Sequence, residues 1–294
     1  MKFIHTFWSK PMLNSKFGIR ENHLKAILTD YSYSALCVHK WGEKIVLYTD
    51  EFGAKLLSFI PYDDVHILNN LDDEDVHFAA QIKFEALKRC DLGDVLIDGD
   101  LFLQKLESID LIKEKLSRND MIYSYFEPHD INCNGSMKEY YKFMLGKMNN
   151  VKYKHPFKLP SKWSDMSWTN TSLMAFTNKE LLDSYIDQYF YHKSLFNNID
   201  FGGTWPDIIL EQYFLTILIK DKYKYKSEPI IDDYYFDISS PHYSKYIGFI
   251  HLGCTKQLVN KDYEDILFKQ NPPLYRAMLS QYDNYLKLLK TFII

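Results

Sequence analysis

The chain has little of what would mark a secreted or membrane-bound protein. Its 4 cysteines are far apart, with no Cys-x-x-Cys pair and no spacing typical of a metal site. No stretch comes near the roughly 18 consecutive apolar residues that a membrane helix needs. The first apolar run is too short for a signal peptide, because His5, Ser9 and Lys10 interrupt it. We therefore expect a reduced, cytoplasmic environment and no transmembrane segment.

Arginine is also scarce, and neither sign of charge dominates. Lys and Arg together number 35, but Arg occurs only at positions 20, 89, 118 and 276. The net charge of -4 gives no reason to expect nucleic acid as a partner. Hydrophobic residues make up 46% and charged residues 25%, which is the balance of a globular protein. The 294 residues contain no internal repeat or low-complexity linker, so we expect a single domain.

Strand and helix patterns alternate over the first hundred residues. Apolar runs predict strands at 2–8, 44–50, 65–68 and 95–98, and helical periodicity predicts helices at 21–40, 51–60 and 78–90. This order predicts a parallel sheet with its ligand site at the carboxyl ends of the strands. The second half is less regular. There we predict strands at 167–176 and 246–251 and helices at 137–148, 179–196, 206–222 and 273–289.

The segment Asp98-Gly99-Asp100 carries two carboxylates between apolar runs, where a chain normally buries itself. One interpretation is a tight hairpin, because Asp-Gly between apolar segments is a strong turn signal. The other is a metal site at the end of a buried strand. The helix pattern that leads into the apolar run Val95–Ile97 favours a central parallel strand, and therefore the metal site.

Four stretches together resemble the glycosyltransferases of the GT-A fold that contain a DxD motif. These families are related to glycogenin, to bacterial galactosyltransferases and to mannosyltransferases of capsule and glycolipid assembly. The stretches are Ile4-His-Thr-Phe-Trp8, Leu47-Tyr-Thr-Asp50, Phe78 to Leu101 with Ile97-Asp-Gly-Asp100 at the motif, and His251-Leu-Gly-Cys-Thr-Lys256.

The resemblance implies a mixed, mostly parallel central sheet flanked by helices, with residues 1–104 binding a nucleotide sugar and residues 105–294 forming the acceptor side with a C-terminal helix. It implies Mn²⁺ or Mg²⁺ held by Asp98, Asp100 and His251, an ion that would neutralise the donor diphosphate. Glu211 and Gln212 are the implied catalytic residues. The implied contacts with the donor are His5, Trp8, Thr49, Asp50, Lys83, Asp98, Gly99, Asn170 and Lys256.

The function expected from this resemblance is hexose transfer from a UDP- or GDP-sugar to a glycan or other acceptor, with retention of configuration. Lys83 stands on the helix where relatives usually carry Arg, and the His251 motif is one residue short. A non-catalytic module that binds a nucleotide sugar or a glycan is therefore the alternative. A phosphatase of the haloacid dehalogenase type also uses Asp-x-Asp, but its motif continues Gly-Thr, whereas Leu101 and Phe102 follow here.

Each of these residues also has a simpler interpretation. His251 is equally a histidine satisfied by hydrogen bonds at a strand end, and Lys256 a solvated surface lysine. Trp8 is equally a core residue, and Glu211 an exposed helix residue.

Overall fold

The computed structural model describes residues 1–13, 21–71, 75–127, 168–195, 206, 209–221, 225–231, 248–252 and 256–292. The strands in these ranges are β1 Lys2–Phe7, β2 Lys44–Thr49, β3 Asp64–Ile67, β4 Val95–Ile97, β5 Leu101–Leu103, β6 Met121–Glu127, β7 Trp168–Phe176, β8 Ser227–Ile231 and β9 Phe249–His251. The α-helices are α1 Ser9–Leu13, α2 Glu21–Lys40, α3 Glu51–Leu56, α4 Gln81–Leu87, α5 Leu106–Leu116, α6 Lys179–Leu195, α7 Phe214–Asp221, α8 Lys256–Gln270 and α9 Pro272–Phe292.

Seven strands form the central sheet in the order β3-β2-β1-β4-β7-β6-β8. Strand β1 is parallel to β2 and to β4, β2 is parallel to β3, and β6 is parallel to β8. Strand β7 runs antiparallel to both β4 and β6. The expected mixed, mostly parallel sheet flanked by helices is confirmed. Strand β4 lies at its centre, where the parallel half meets the antiparallel strand.

Both faces of the sheet are buried at its centre, as strands linked by crossover helices require. In β4, Leu96 packs into the core formed with α4, α6 and α7, whereas Val95 and Ile97 pack into the core formed with α2, α5, α8 and α9. All three side chains are 0% exposed. At about 1.5–3 kcal/mol for each fully buried side chain of this size, the short strand is anchored firmly from both sides.

A second, two-stranded sheet lies beside the carboxyl end of β4. Strand β5 follows β4 after a short turn and pairs with β9 in antiparallel register, with Leu101 opposite His251 and Leu103 opposite Phe249. The N–H of Leu252 donates to the carbonyl of Asp100 over 3.1 Å, which extends this pairing to the turn itself. The small sheet therefore brings a late segment of the chain next to the Asp98-Gly99-Asp100 turn.

Several elements differ from the sequence-based expectation. The helix expected at 78–90 is confined to α4 and follows a 3₁₀ turn, Val76–Phe78, and the helix expected at 206–222 is a π-helical turn, Ile209–Tyr213, followed by α7. The expected helix 137–148 lies outside the described residues. Elements that the sequence analysis missed are α1, β5, α5, β6, β8 and α8. No helix in the described ranges is long and apolar enough to cross a membrane.

Candidate metal and donor site

The Asp98-Gly99-Asp100 segment leaves the central sheet in a tight turn. The N–H of Asp98 donates to the Ser172 carbonyl on β7 over 2.7 Å, and the N–H of Leu101 donates back to the Asp98 carbonyl over 3.0 Å. Strands β4 and β5 belong to different sheets, so the segment is not a hairpin. Both carboxylates therefore lie at the carboxyl end of a central parallel strand, where ligand sites of such sheets occur.

Gly99 is required by a close contact rather than by a left-handed backbone. A Cβ atom at this position would lie 2.3 Å from Cε2 of Tyr31. The Tyr31 hydroxyl donates to the Thr6 carbonyl over 2.7 Å, which holds the ring against the turn. Burial, with the charge of Asp98 adding to it, raises the pKa of Tyr31 well above its ordinary value, so the hydroxyl keeps the proton that it donates.

Asp98, Asp100 and His251 form the one group of potential metal ligands found in the described part of the chain. One ligand atom from each residue lies within 4.8 Å of the others. Two hard carboxylate oxygens and one imidazole are a donor set that suits Mn²⁺ or Mg²⁺. Ligands about 2.1 Å from one ion are at most about 4.2 Å apart, so a small contraction of this group is enough to hold a cation.

The imidazole of His251 is directed toward Asp100 without forming a hydrogen bond to it. Its Nε2 lies 3.7 Å from Oδ2 of Asp100, beyond hydrogen-bonding distance. Its Nδ1 lies 3.0 Å from the hydroxyl of Tyr125. Nδ1 is thus held by Tyr125, and Nε2 faces the Asp100 carboxylate across a gap.

Lys83 links this group to Glu211. Its ammonium lies 2.8 Å from Oδ1 of Asp98 and 2.7 Å from Oε1 of Glu211, and the Thr171 hydroxyl donates to the same Glu211 oxygen over 2.6 Å. Burial by itself would lower the pKa of Lys83, but the two carboxylates outweigh it and raise that pKa above its ordinary value. Lys83 is therefore a permanent positive charge between two acidic side chains.

Glu211 is buried at 6% exposure, which contradicts the simple interpretation of an exposed helix residue. Burial raises the pKa of Glu211, while Lys83 acts in the opposite direction. The residue stands in the π-helical turn Ile209–Tyr213, and such turns occur often at functional sites. The Tyr185 hydroxyl donates to the Glu211 carbonyl over 3.0 Å and helps to fix this turn.

Gln212, the neighbour of Glu211, lies half-buried in the same turn. Its carbonyl accepts hydrogen bonds from Thr216 and Thr169 over 2.8 and 3.2 Å. These bonds fix the backbone of Gln212, and a catalytic part for its side chain stays a prediction.

The charges of the group do not cancel. With Glu211 ionised, three carboxylates face one ammonium, and the imidazole of His251 contributes no charge when neutral. The group then carries two negative charges more than positive ones, which a divalent cation would balance. This matters because an excess of charge of one sign is costly in a partly buried site.

Two predicted donor contacts at the end of β1 are core residues in this structure. Both ring nitrogens of His5 are bonded, Nδ1 to the Tyr62 hydroxyl at 2.9 Å and Nε2 to the Ser34 hydroxyl at 3.0 Å. Burial lowers the pKa of His5 to about 3, so the ring is neutral. Trp8 packs in a hydrophobic cluster, but its Nε1 has no hydrogen-bond partner among the described residues. The donor contacts of His5 and Trp8 stay predictions.

Two further predicted contacts at the end of β2 serve local structure. The Thr49 hydroxyl donates to the Phe7 carbonyl over 2.6 Å. Asp50 caps α3 by accepting from the N–H of Gly53 over 2.8 Å, and its second oxygen accepts from the Ser9 hydroxyl over 2.5 Å. These bonds fasten the end of β2 to β1, α1 and α3. The donor contacts of Thr49 and Asp50 stay predictions.

The remaining predicted donor contacts lie in the second half of the chain. The side-chain oxygen of Asn170 accepts from the N–H of Ser172 over 2.9 Å, and Asn170 is buried beside the turn. Lys256 begins α8, and its side chain lies outside what the structure describes. The structure thus brings Asp98, Asp100, His251, Lys83 and Glu211 together.

Three residues of this region were missed by the sequence analysis: Tyr31, Tyr125 and Thr171. Tyr31 lies in the helix predicted at 21–40, and no short-range pattern distinguishes it from the other 22 tyrosines of the 23 in the chain. Tyr125 and Thr171 reach the site from β6 and β7, and only the pairing of those strands reveals it.

Residues 1–281 match the model of a family described as "Family of unknown function (DUF6734)". The protein belongs to this family. A search of curated proteins finds no match. Among solved structures, one similar chain is "The crystal structure of 4-diphosphocytidyl-2C-methyl-D-erythritolsynthase from Anaerococcus prevotii DSM 20548", at 12% identity and a TM-score of 0.39. The match covers 90% of this chain and 99% of that chain. The fold of this chain is defined by its own sheet topology.

Proposed function

We propose that the protein is a metal-dependent glycosyltransferase that moves a hexose from a UDP- or GDP-sugar to a glycan or other acceptor. The observation that carries the proposal is the convergence of Asp98, Asp100 and His251 at the carboxyl end of the central parallel strand. The family resemblance of the DxD segment supports the same conclusion. In this proposal the three side chains hold Mn²⁺ or Mg²⁺, whose chemistry at such a site is to neutralise the charge of the leaving diphosphate.

The residues beside the metal group fit the remaining tasks of sugar transfer. Lys83 is a fixed positive charge at the edge of the group, suited to a phosphate oxygen as a point charge. Glu211 pairs with Lys83 from the π-helical turn. One of its carboxylate oxygens accepts from both Lys83 and the Thr171 hydroxyl. Its placement suits an interaction with the transferred sugar, which would lower the energy of the transition state more than that of the bound donor.

The proposal is tested first by binding. Mn²⁺ and UDP or GDP together should raise the melting temperature by more than the sum of their separate effects, because each completes the site of the other. Asp100→Asn should abolish this joint effect without lowering the melting temperature of the unliganded protein, since it removes one of two adjacent like charges. Equal shifts with and without metal would contradict the proposal.

Asp94→Asn is the matched control for Asp100→Asn. Asp94 is a buried carboxylate at the other end of β4, and it accepts from the N–H of Lys2 over 2.9 Å. The Asp94→Asn variant should lose stability and keep the joint response to metal and nucleotide. A labelled donor, with hydrolysis to water as the readout, then separates the enzyme from a non-catalytic binding module, which would bind the nucleotide without turnover.

A further inference from the structure

His251 and Tyr125 form a buried pair at the edge of the metal group. His251 is 8% exposed and Tyr125 is 3% exposed. The Tyr125 hydroxyl lies 3.0 Å from Nδ1 of His251, the nitrogen that faces away from Asp100. The sequence gives no reason to connect the two residues, which are 126 positions apart.

An irregularity between β6 and β7 accompanies the position of Tyr125. The register of the two strands shifts between Tyr123 and Tyr125, and the two tyrosines pack into different cores. Ser124 links the two strands within the irregular region. Its hydroxyl accepts from the N–H of Leu173 over 2.6 Å and lies 2.6 Å from the Ser172 hydroxyl. Irregularities of this kind re-aim side chains next to active sites.

The pairing determines which nitrogen of His251 is able to bind a cation. A neutral imidazole binds a metal ion through the nitrogen that lacks a proton, so its other nitrogen must carry the proton and needs an acceptor when buried. The Tyr125 oxygen, 3.0 Å from Nδ1, is placed to be that acceptor. In the opposite tautomer the proton would be on Nε2, where the nearest oxygen of Asp100 is 3.7 Å away, too far for a good hydrogen bond.

We propose that Tyr125 is a positioning residue for the metal site. Its hydroxyl accepts the Nδ1 proton of His251, which leaves Nε2 unprotonated and directed at the two carboxylates. This inference rests on the proposed function, because it requires that the three ligands hold a cation. It adds a fourth residue whose effect on the cation is exerted through the histidine and not by contact.

The test is the affinity for Mn²⁺ alone, measured from the electron paramagnetic resonance signal of the free ion. Tyr125→Phe keeps the ring and removes the hydroxyl, and it should weaken Mn²⁺ binding about 10- to 100-fold, the usual effect of losing such a partner. Tyr275→Phe is the control, since it also removes a hydroxyl bonded to a side chain, here to Glu264 over 2.9 Å, but between α8 and α9. The control should bind Mn²⁺ like the parent.

A measurement on the parent protein makes the test independent of how the variant folds. With Mg²⁺ bound, the nitrogen chemical shifts of His251, assigned by their loss in His251→Gln, should show a proton on Nδ1 and none on Nε2. The opposite tautomer would overturn the inference and remove His251 from the ligand set. Equal Mn²⁺ affinity of Tyr125→Phe and the parent would overturn the inference and leave the metal site itself standing. A parent that binds no Mn²⁺ would overturn the proposed function and this inference together.

Discussion

Replacing Lys83 with methionine tests what the positive charge of this side chain contributes to the candidate site. Methionine keeps most of the apolar stem, whereas the ammonium that lies 2.8 Å from Asp98 and 2.7 Å from Glu211 is lost. Glu211 then retains the Thr171 hydroxyl as a donor but no longer has a cation beside it. Removing one partner of a buried ion pair costs about 3–5 kcal/mol. We expect the metal-free Lys83→Met protein to lose stability in that range near pH 8.

The loss should depend on pH through Glu211. Its pKa is already raised from 4.5 by burial, and the removal of Lys83, which acts to lower it, should raise it further. A carboxyl with a higher pKa in the folded chain stabilises the fold in its protonated form. That contribution is complete below the unfolded pKa and is lost as the pH rises through the folded pKa. The penalty of Lys83→Met should therefore be much smaller at pH 5 than at pH 8.

Urea unfolding of the metal-free proteins at pH 5 and pH 8 measures both effects. Lys88→Met is the matched control, because Lys88 follows the same helix and pairs with Glu85 over 2.9 Å, but its side chain is 40% exposed. Such a pair contributes at most about 1 kcal/mol. Mn²⁺ should also stabilise Lys83→Met more than the parent, because Asp98 and Glu211 have lost the ammonium between them and attract the cation more strongly. A penalty for Lys83→Met below about 1 kcal/mol at pH 8, or one equal at both pH values, would refute the reasoning.

Two further predictions concern the turn and the π-helical segment. Gly99→Ala should cost about 1–3 kcal/mol from overpacking against Tyr31 and weaken Mn²⁺ binding in titrations, whereas Gly42→Ala, at a φ of 74° in open space, should affect stability alone. Glu211→Gln, which keeps the shape of the side chain, should reduce donor turnover about 100-fold or more with nucleotide affinity unchanged. Gln212→Ala should affect turnover much less, and the reverse order in a labelled-donor assay would assign the catalytic part to Gln212.

The part of the fold that the sequence predicts is the part built from local signals. Apart from α1 and the 3₁₀ turns, the order of strands and helices up to Ile97 follows from apolar runs and helical periodicity, and the parallel pairing follows from the crossovers. The strands Leu101–Leu103 and Ser227–Ile231 were missed because pairing with β9 and β6 defines them, and no local apolar period does. Pairing between strands that are far apart in the sequence produces no periodic pattern that a sequence reveals.

The candidate site divides in the same way. Asp98 and Asp100 are predictable, since they end a recognisable strand. The resemblance to a known family brought His251 to attention, but its distance from the carboxylates depends on the register of two three-residue strands. The link from Lys83 to Glu211 spans 128 positions, and helical periodicity indicates only that Lys83 lies on a helix, not which acidic side chain it meets.

The two-stranded sheet formed by β5 and β9 also orders events during protein synthesis. Asp100 leaves the ribosome about 150 residues before His251, which at 5–20 residues per second is roughly 8–30 s. During that interval the nascent chain carries both carboxylates and Lys83 but not the imidazole of His251. The third ligand arrives only when β9 adds to β5. Loading of the proposed metal site therefore follows translation of the C-terminal segment, and a chain that stops before β9 keeps β1 to β4 but lacks a complete ligand set.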